Sequence, residues 1–334
     1  MIPSHPIKRR DFLKLVAASA AFSATSTTAL VARADPVVTT ARKKLSVNIF
    51  SKHLQFLDYT AMAQTAADMG FDGVDLTVRP HGHVEPNRAE EDLPRALDAI
   101  RKAGLKCEMI TTAVESASNP VDKQLLATAA REGIKYYRMN WFSYPEQQFT
   151  SGGKHSLPKA IAKYRDQVQA LSELNAKLDL VGCYQNHAGT LVGSSLWEIW
   201  QMLQGANQQH MGIQYDIRHA VVEGGLSWIN GLRLALPHIK TIVVKDFKWV
   251  EQSRPHPGSV NRIVNTPLGE GTVNFSEYFR TLQAQGITVP VSLHIEHDLG
   301  GAQWGQKSIS MEPAAVFSII KKDLESLRYL WSHA

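Results

Sequence analysis

Cysteine is almost missing from this chain, which has only Cys107 and Cys183 in 334 residues. A disulfide framework is thereby excluded, and with no C-x-x-C pair so is a redox or zinc motif built on one. Each cysteine lies in a segment with strand character, and one further strand separates the two. Strands about 4.8 Å apart put second neighbours beyond the roughly 7 Å that a disulfide spans, so both read as small core residues. Also absent are a G-x-G-x-x-G after the first strand, a Walker A loop and an H-E-x-x-H helix. A dinucleotide fold, a nucleoside triphosphate site and a zincin centre therefore lack their signatures.

Excess charge is the next absence. The formal net charge of +5 is mostly a property of the first 34 residues, which hold five of the 36 Lys and Arg and one of the 31 Asp and Glu. Residues 35–334 carry 31 bases against 30 acids, about +1, which gives no general attraction to polyanions and removes the compositional case for nucleic acid. The leader runs from KRRDFLK through LVAASAAFSATSTTALVA to Ala32, Arg33 and Ala34, an A-x-A cleavage pattern. Arg9 and Arg10 before Asp11, Phe12, Leu13 and Lys14 resemble a twin-arginine export signal. Residues 1–34 are therefore expected to be a signal peptide and 35–44 a linker, with a periplasmic domain over 45–334. Its Ser and Thr content makes the leader a poor membrane span, so no stable membrane insertion is expected after cleavage.

The remaining sequence alternates strand and helix patterns. Strands are predicted at 45–50, 73–79, 106–112, 135–140, 178–185, 211–216, 240–246 and 289–297, and helices at 58–69, 88–103, 120–132, 156–176, 194–204, 228–236, 275–286 and 312–331. Eight such pairs over about 290 residues predict an α/β fold, a (β/α)8 TIM barrel. Gly70 and Gly104 fall where helices should stop, and Asn274 with Glu277 resembles a capping box. A two-residue period sets Val291, Leu293 and Ile295 against Ser292, His294 and Glu296, and Val74, Leu76 and Val78 against Asp75, Thr77 and Arg79. An apolar face toward helices and a polar lumen account for both; a doubly wound open sheet is the alternative.

Polar residues gather where these strands end, at Arg79, Asn140, Gln185 and His187, Asp216 and His219, Lys245 and Asp246, and Glu296 and His297. Long segments read as loops come after the second, fourth and seventh strands. In a barrel both features mark the active face.

GFDGVDLT, YQNHAG, YDIRHA, VKDFKW, PLGEGTVNF and HIEHDLGGA, together with residues 51–80, resemble the sugar phosphate isomerase/epimerase family of xylose isomerase-like TIM barrels. The resemblance spans nearly all of the chain after the leader. It implies a divalent metal at the strand ends, held by Glu, Asp, His and Glu from the fifth to eighth strands, with both Glu residues moving protons. Asp216 matches the sixth-strand ligand, His219 the substrate-contacting His, and Glu296 the last ligand and acid/base. Two positions depart, with Gln185 standing for the Glu and Val243 for the His, while Lys245 and Asp246 keep the rest of that motif.

Glu296 is the expected base, because a lumen carboxylate must be paired, metal-bound or catalytic; a structural salt bridge to Lys245 or Arg79 is the plainer reading. His219 and Lys245 are the other candidate catalytic residues. Lys245 is read as holding a sugar oxygen or polarising a carbonyl. His53, Arg79, His187 and Asp246 are candidate substrate contacts, with Lys52 and His83 beside them. Asp216, Glu296 and the Gln185 amide oxygen form an oxygen-rich set that suits Mg²⁺ or Mn²⁺ as a weakly held cofactor. Gly300, Gly301 and Gly305 could let backbone amides approach a ligand, and Trp141, Trp249 and Trp304 could stack on sugar rings.

The expected partner is a small carbohydrate, and an oligomer is compatible with the sequence. The expected reaction is isomerisation or epimerisation of an unphosphorylated sugar or keto sugar by proton abstraction beside a carbonyl. Alternatives are a 3-keto-glycoside lyase or hydratase, a non-catalytic sugar-binding barrel, and an endonuclease of the same superfamily, which would need a fuller metal set and a basic groove.

Overall fold

The computed structural model describes residues 44–144, 157–252 and 260–334. The expected leader, all of the expected linker but Lys44, and residues 145–156 and 253–259 lie outside the described residues. Eight parallel strands close into a barrel: β1 (Val47–Phe50), β2 (Gly73–Val78), β3 (Lys106–Thr112), β4 (Tyr136–Arg138), β5 (Val181–Gln185), β6 (Met211–Asp216), β7 (Ile239–Val244) and β10 (Val291–Leu293). The ring runs β1-β10-β7-β6-β5-β4-β3-β2, so β6, β7 and β10 are neighbours.

Described helices cover the outside: α1 (Tyr59–Met69), α2 (Ala89–Lys102), α3 (Pro120–Arg131), α4 (Leu157–Leu178), α5 (Leu196–Met202), α6 (Ile217–Gly224), α7 (Trp228–Ala235), α8 (Phe275–Ala284) and α9 (Pro313–Ser332). Local chemistry sets their ends. Asp58 accepts from the Ala61 N–H at 2.8 Å to start α1, and Gly70 ends it at φ 92°, a left-handed conformation a side chain would strain. Asn274 caps α8 by accepting from the Glu277 N–H at 3.1 Å; Glu277 bonds the Asn274 side chain rather than its backbone, so the capping box is incomplete.

The alternation divides two cores. Val74, Leu76, Val78, Leu293 and Ile295 join the apolar layer beneath the helices. Asp75, Thr111 and Ser292 meet inside the barrel, where the Ser292 hydroxyl donates to Asp75 at 2.6 Å and that of Thr111 donates at 3.0 Å. Cys107 and Cys183 are free thiols on β3 and β5.

Three features differ from the sequence expectation. The segment after β7 is not a plain loop: β8 (Asp246–Gln252) and β9 (Val260–Thr266) pair antiparallel, a pairing hidden in the sequence by Pro255, Pro257 and Gly258, which read as loop residues. An unexpected helix, α6, continues from β6 without a connection, because the Asp216 side chain itself caps it by accepting from the His219 N–H at 3.1 Å. The last strand stops at Leu293. Beyond it the Ile295 N–H donates to His53 Nε2 at 3.0 Å, so His294 to Glu296 are carried on a side-chain strut.

Candidate active site

Lys245 is the centre of the strand-end cluster. Its ammonium stands 3.2 Å from Asp216 Oδ2, 3.2 Å from Glu296 Oε1 and 2.9 Å from His219 Nε2. These groups come from the ends of β6, β7 and β10, so barrel closure alone brings them together. Asp216 is wholly buried and also accepts from Gln185 Nε2 at 2.8 Å. Glu296 retains some exposure, 18% of its side chain, and has Lys52 3.8 Å away as a second cation. Burial pushes its carboxyl up, but Lys245 and then Lys52 outweigh that and hold it well below the usual carboxylate range. Glu296 is therefore ionised.

The imidazoles are neutral. Burial, then the neighbouring Lys245 and His187, lowers His219 well below its ordinary value. One of its nitrogens faces Lys245 and the other Arg218 Nη1, at 3.0 Å. A neutral ring offers one acceptor, so it accepts from one cation at a time. Burial, with Lys245, likewise lowers His187, which rests against His219 with ring centroids 4.1 Å apart. Burial lowers Lys52 to about 8, against the opposing pull of Glu296.

The hairpin braces this cluster from outside the lumen. Arg218 Nη2 donates to Asn265 Oδ1 at 2.9 Å, and Asn265 Nδ2 donates to the Glu296 carbonyl at 3.3 Å. Above the cluster lies a cavity of about 60 Å³ lined by Lys52, Arg79, Arg138, His187, Lys245 and Glu296. An adjoining space of about 440 Å³ shares Arg79, Arg138 and Trp141 and reaches Trp304 at the rim.

Glu296, His219, Lys245 and Asp216 are thus gathered, with Arg79 and His187 in the cavity wall. Others of the expected site residues serve elsewhere. Asp246, next to Lys245 but of opposite strand parity, accepts from the backbone N–H groups of Phe247, Gly269, Gly271 and Val273 at 2.8 to 3.2 Å. Its oxygens are spent anchoring the PLGEGT turn, where a side chain at Gly271 would collide with the carboxylate. It is a loop anchor, not a substrate contact. His53 is fully buried and serves as the Ile295 strut. His83 is turned to Ser51 and Thr77. The Gly300, Gly301 and Gly305 amides donate to Asp298, Gln303 and Ala302, and none is left for a ligand. Trp141 lines both cavities and Trp304 the outer one, whereas Trp249 packs edge-on against Phe247 on the hairpin.

A divalent cation does not fit this donor set. The Lys245 ammonium already stands between Asp216 and Glu296, Val243 has no donor atom, and the Gln185 amide oxygen accepts from Arg138 Nη1 at 3.2 Å. Among the described residues no group of three or more His, Cys, Asp or Glu is placed to hold a metal. The metal set of Asp216, Glu296 and Gln185 expected from sequence is an ammonium site here.

Sequence reasoning missed Arg138, Arg218 and Asn265. Arg138 had a signal, a charge inside the apolar run KYYRMN at a lumen position. The other two had none, because α6 and the hairpin were not foreseen.

No curated protein matches the chain. Solved structures do, at identities that speak for the fold. A 3-keto-D-glucoside 4-epimerase from E. coli, in apo form, is 15% identical with a TM-score of 0.61, over 86% of this chain and 100% of that one. A probable 3-DHS dehydratase from Bacillus anthracis is 17% identical with a TM-score of 0.59, over 85% and 98%. A xylose isomerase-like TIM barrel protein from Mycobacterium smegmatis, in complex with magnesium, is 13% identical with a TM-score of 0.58, over 84% and 98%. The family profile described as xylose isomerase-like TIM barrel matches residues 63–313, in keeping with the closed barrel and its strand-end site, and the chain belongs to that family.

Proposed function

We propose that this barrel is a sugar isomerase or epimerase that removes a proton from a carbon beside a carbonyl, with Glu296 as base and Lys245 as the electrophile. The observation that carries the reading is the Lys245 ammonium set between Asp216 and Glu296 under the cavity. As the C–H pair moves into the C–C bond, the proton passes to the Glu296 carboxylate and the carbonyl oxygen becomes an enolate. Lys245 is preorganised to offset that charge, the usual largest source of stabilisation in such steps. Returning the proton to the neighbouring carbon, while the hydroxyl proton there passes to the former carbonyl oxygen, gives isomerisation; delivery of a proton to the opposite face of the same carbon, from a donor other than Glu296, gives epimerisation. The E. coli epimerase of like fold supports this reaction class.

Among the described residues one acid lines the cavity, Glu296, with no second carboxylate beside it to work from the opposite face of the carbon. That observation favours one-base proton shuttling, and as a second reading elimination of a leaving group, a class to which the named dehydratase belongs. Turnover of aldoses, ketoses, uronic acids and 3-keto-glycosides in deuterated water separates the two. A rearranged sugar is expected, its proton either carried over on Glu296 or replaced by deuterium; release of an aglycone would establish elimination, and neither product from any of these compounds would defeat both. Export by the twin-arginine route is part of the same proposal. Replacing Arg9 and Arg10 by Lys should trap the protein in the cytoplasm, and unchanged export would refute it.

A further inference from the structure

The barrel mouth carries more positive charge than its own acids neutralise. Lys52, Arg79, Arg138 and Lys245 all line the inner cavity, against Glu296 alone among the lining acids. The two lysines pair with Glu296, and Lys245 also with Asp216. Neither arginine forms an ion pair with any described residue. Arg138 is only 4% exposed, yet gives its N–H groups to neutral acceptors, Gln185 Oε1 at 3.2 Å and the Thr112 carbonyl at 3.4 Å, and its Nε–H has no partner among the described residues. The Arg79 side chain makes no hydrogen bond to a described residue and lies over the Phe50 ring at 5.5 Å. Trp141 backs Arg138 at 4.1 Å. Burial, then the nearby Arg79, pulls Arg138 down to about 9, and burial lowers Arg79 as well; the Asp75 charge opposes both shifts but forms no ion pair with either. A buried cation without a paired counterion is costly, and buried Arg138 and half-buried Arg79 are propped on aromatic rings, with the Arg138 Nε–H unspent.

We infer that the substrate is an anion, a sugar acid whose carboxylate is held by Arg79 and Arg138 while its reacting carbon lies over Lys245 and Glu296. The inference rests on the proposed chemistry for the second half of that placement and names the substrate class. Two guanidinium forks match a planar carboxylate. A phosphate would be expected to use backbone amides, and those of the glycine-rich turn after Glu296 are all consumed internally. The inner space of about 60 Å³ suits a carboxylate and the adjacent carbonyl carbon, and the larger space beyond, about 440 Å³, takes the remaining chain.

Calorimetric binding to the purified protein tests this with a panel of uronic and aldonic acids, their neutral parent sugars, and glucose 6-phosphate, all at fixed ionic strength. At least one acid should bind about tenfold or more tighter than its neutral parent, with the advantage shrinking as salt is raised. Arg138→Gln should erase the advantage, so that each acid binds about as its neutral parent does. Should that buried variant fail to fold, Arg79→Gln, a change at a side chain bonded to nothing among the described residues, should reduce the same advantage severalfold. No acid binding better than its parent, a preference for the phosphate ester over every acid, or an Arg79→Gln protein with its preference intact would each overturn the inference. Binding needs no turnover, so the two proposals fail separately. Tight acid binding without turnover would remove the isomerase reading alone, and turnover of neutral sugars without charge preference would remove the anion alone.

Discussion

Asp75 and Glu296 are carboxylates in one barrel with opposite fates. Asp75, on the floor, is fully buried among hydroxyls, and burial pushes it up to about 6 despite hydrogen bonds from Ser292 and Thr111. Glu296, at the mouth, feels the same burial, yet Lys245 and Lys52 hold it ionised. Asp75 also feels the Arg138 and Arg79 charges, but neither pairs with it, whereas Lys245 touches Glu296; contact with a cation therefore decides which lumen carboxylate can serve as a base near neutral pH.

The most severe way to break this contrast is Glu296→Gln. The amide has nearly the same shape and no basicity, so activity should fall about a thousandfold, within the usual range for a lost general base, while the barrel still folds, with a lower melting temperature because the charge paired with Lys245 and Lys52 is gone. A variant with wild-type kcat would place the base elsewhere. Next is Lys245→Met, which strips the mouth of its central cation and should move Glu296 toward the behaviour of Asp75. About a hundredfold loss of kcat is expected, with the acid limb of the pH–rate profile moving to higher pH and about 3–5 kcal/mol lost on denaturant unfolding, because Asp216 is left buried without its counterion. An unmoved acid limb would contradict the account of Glu296.

Asp75→Asn sharpens the contrast through the sign of a pH effect. Asp75 is raised from its ordinary 3.8 to about 6, so the folded protein binds more protons there than the unfolded chain between those values. Its contribution to stability therefore falls as pH rises from about 4 to about 6, by on the order of 3 kcal/mol, and is level above that. Glu296 behaves oppositely. Its folded value is depressed below the ordinary 4.5, so its contribution is present above 4.5 and lost as pH falls further. Unfolding free energies of wild type and Asp75→Asn should converge or diverge only across about pH 4 to 6, and a constant difference would refute the shift. The smallest effect is expected from Asn265→Ala, which frees Arg218 and the Glu296 carbonyl from the hairpin. Losing such bonds costs about 1 kcal/mol, so kcat should drop roughly fivefold with KM nearly unchanged, and a rise in KM alone would make Asn265 a binding residue instead.

Much of the site was legible because a strand carries its own geometry. Parity put Ser292, His294 and Glu296 on the lumen face and, applied strictly, separates Lys245 from Asp246, which turned away to hold a loop. Asp216 and His219 were legible as polar residues at a strand end. Less could be read where a residue's role depends on an element with no periodic signature. The sequence around Asn265 carries prolines that hide its strand pattern, and the helix that carries Arg218 begins without any linker.

The sequence by itself determined the eight strand and helix pairs, the polar lumen and the end of the barrel at which chemistry gathers, since periods of two and 3.6 residues are properties of neighbours along the chain. Only the tertiary structure decided that the Lys245 ammonium stands between Asp216 and Glu296, and that Arg79 and Arg138 face a cavity with no ion-pair partner among the described residues. Those facts join β2, β4, β6, β7 and β10, segments as distant in the chain as Arg79 and Glu296. Charge strength at such a site depends on distance and burial, and barrel closure sets both at once.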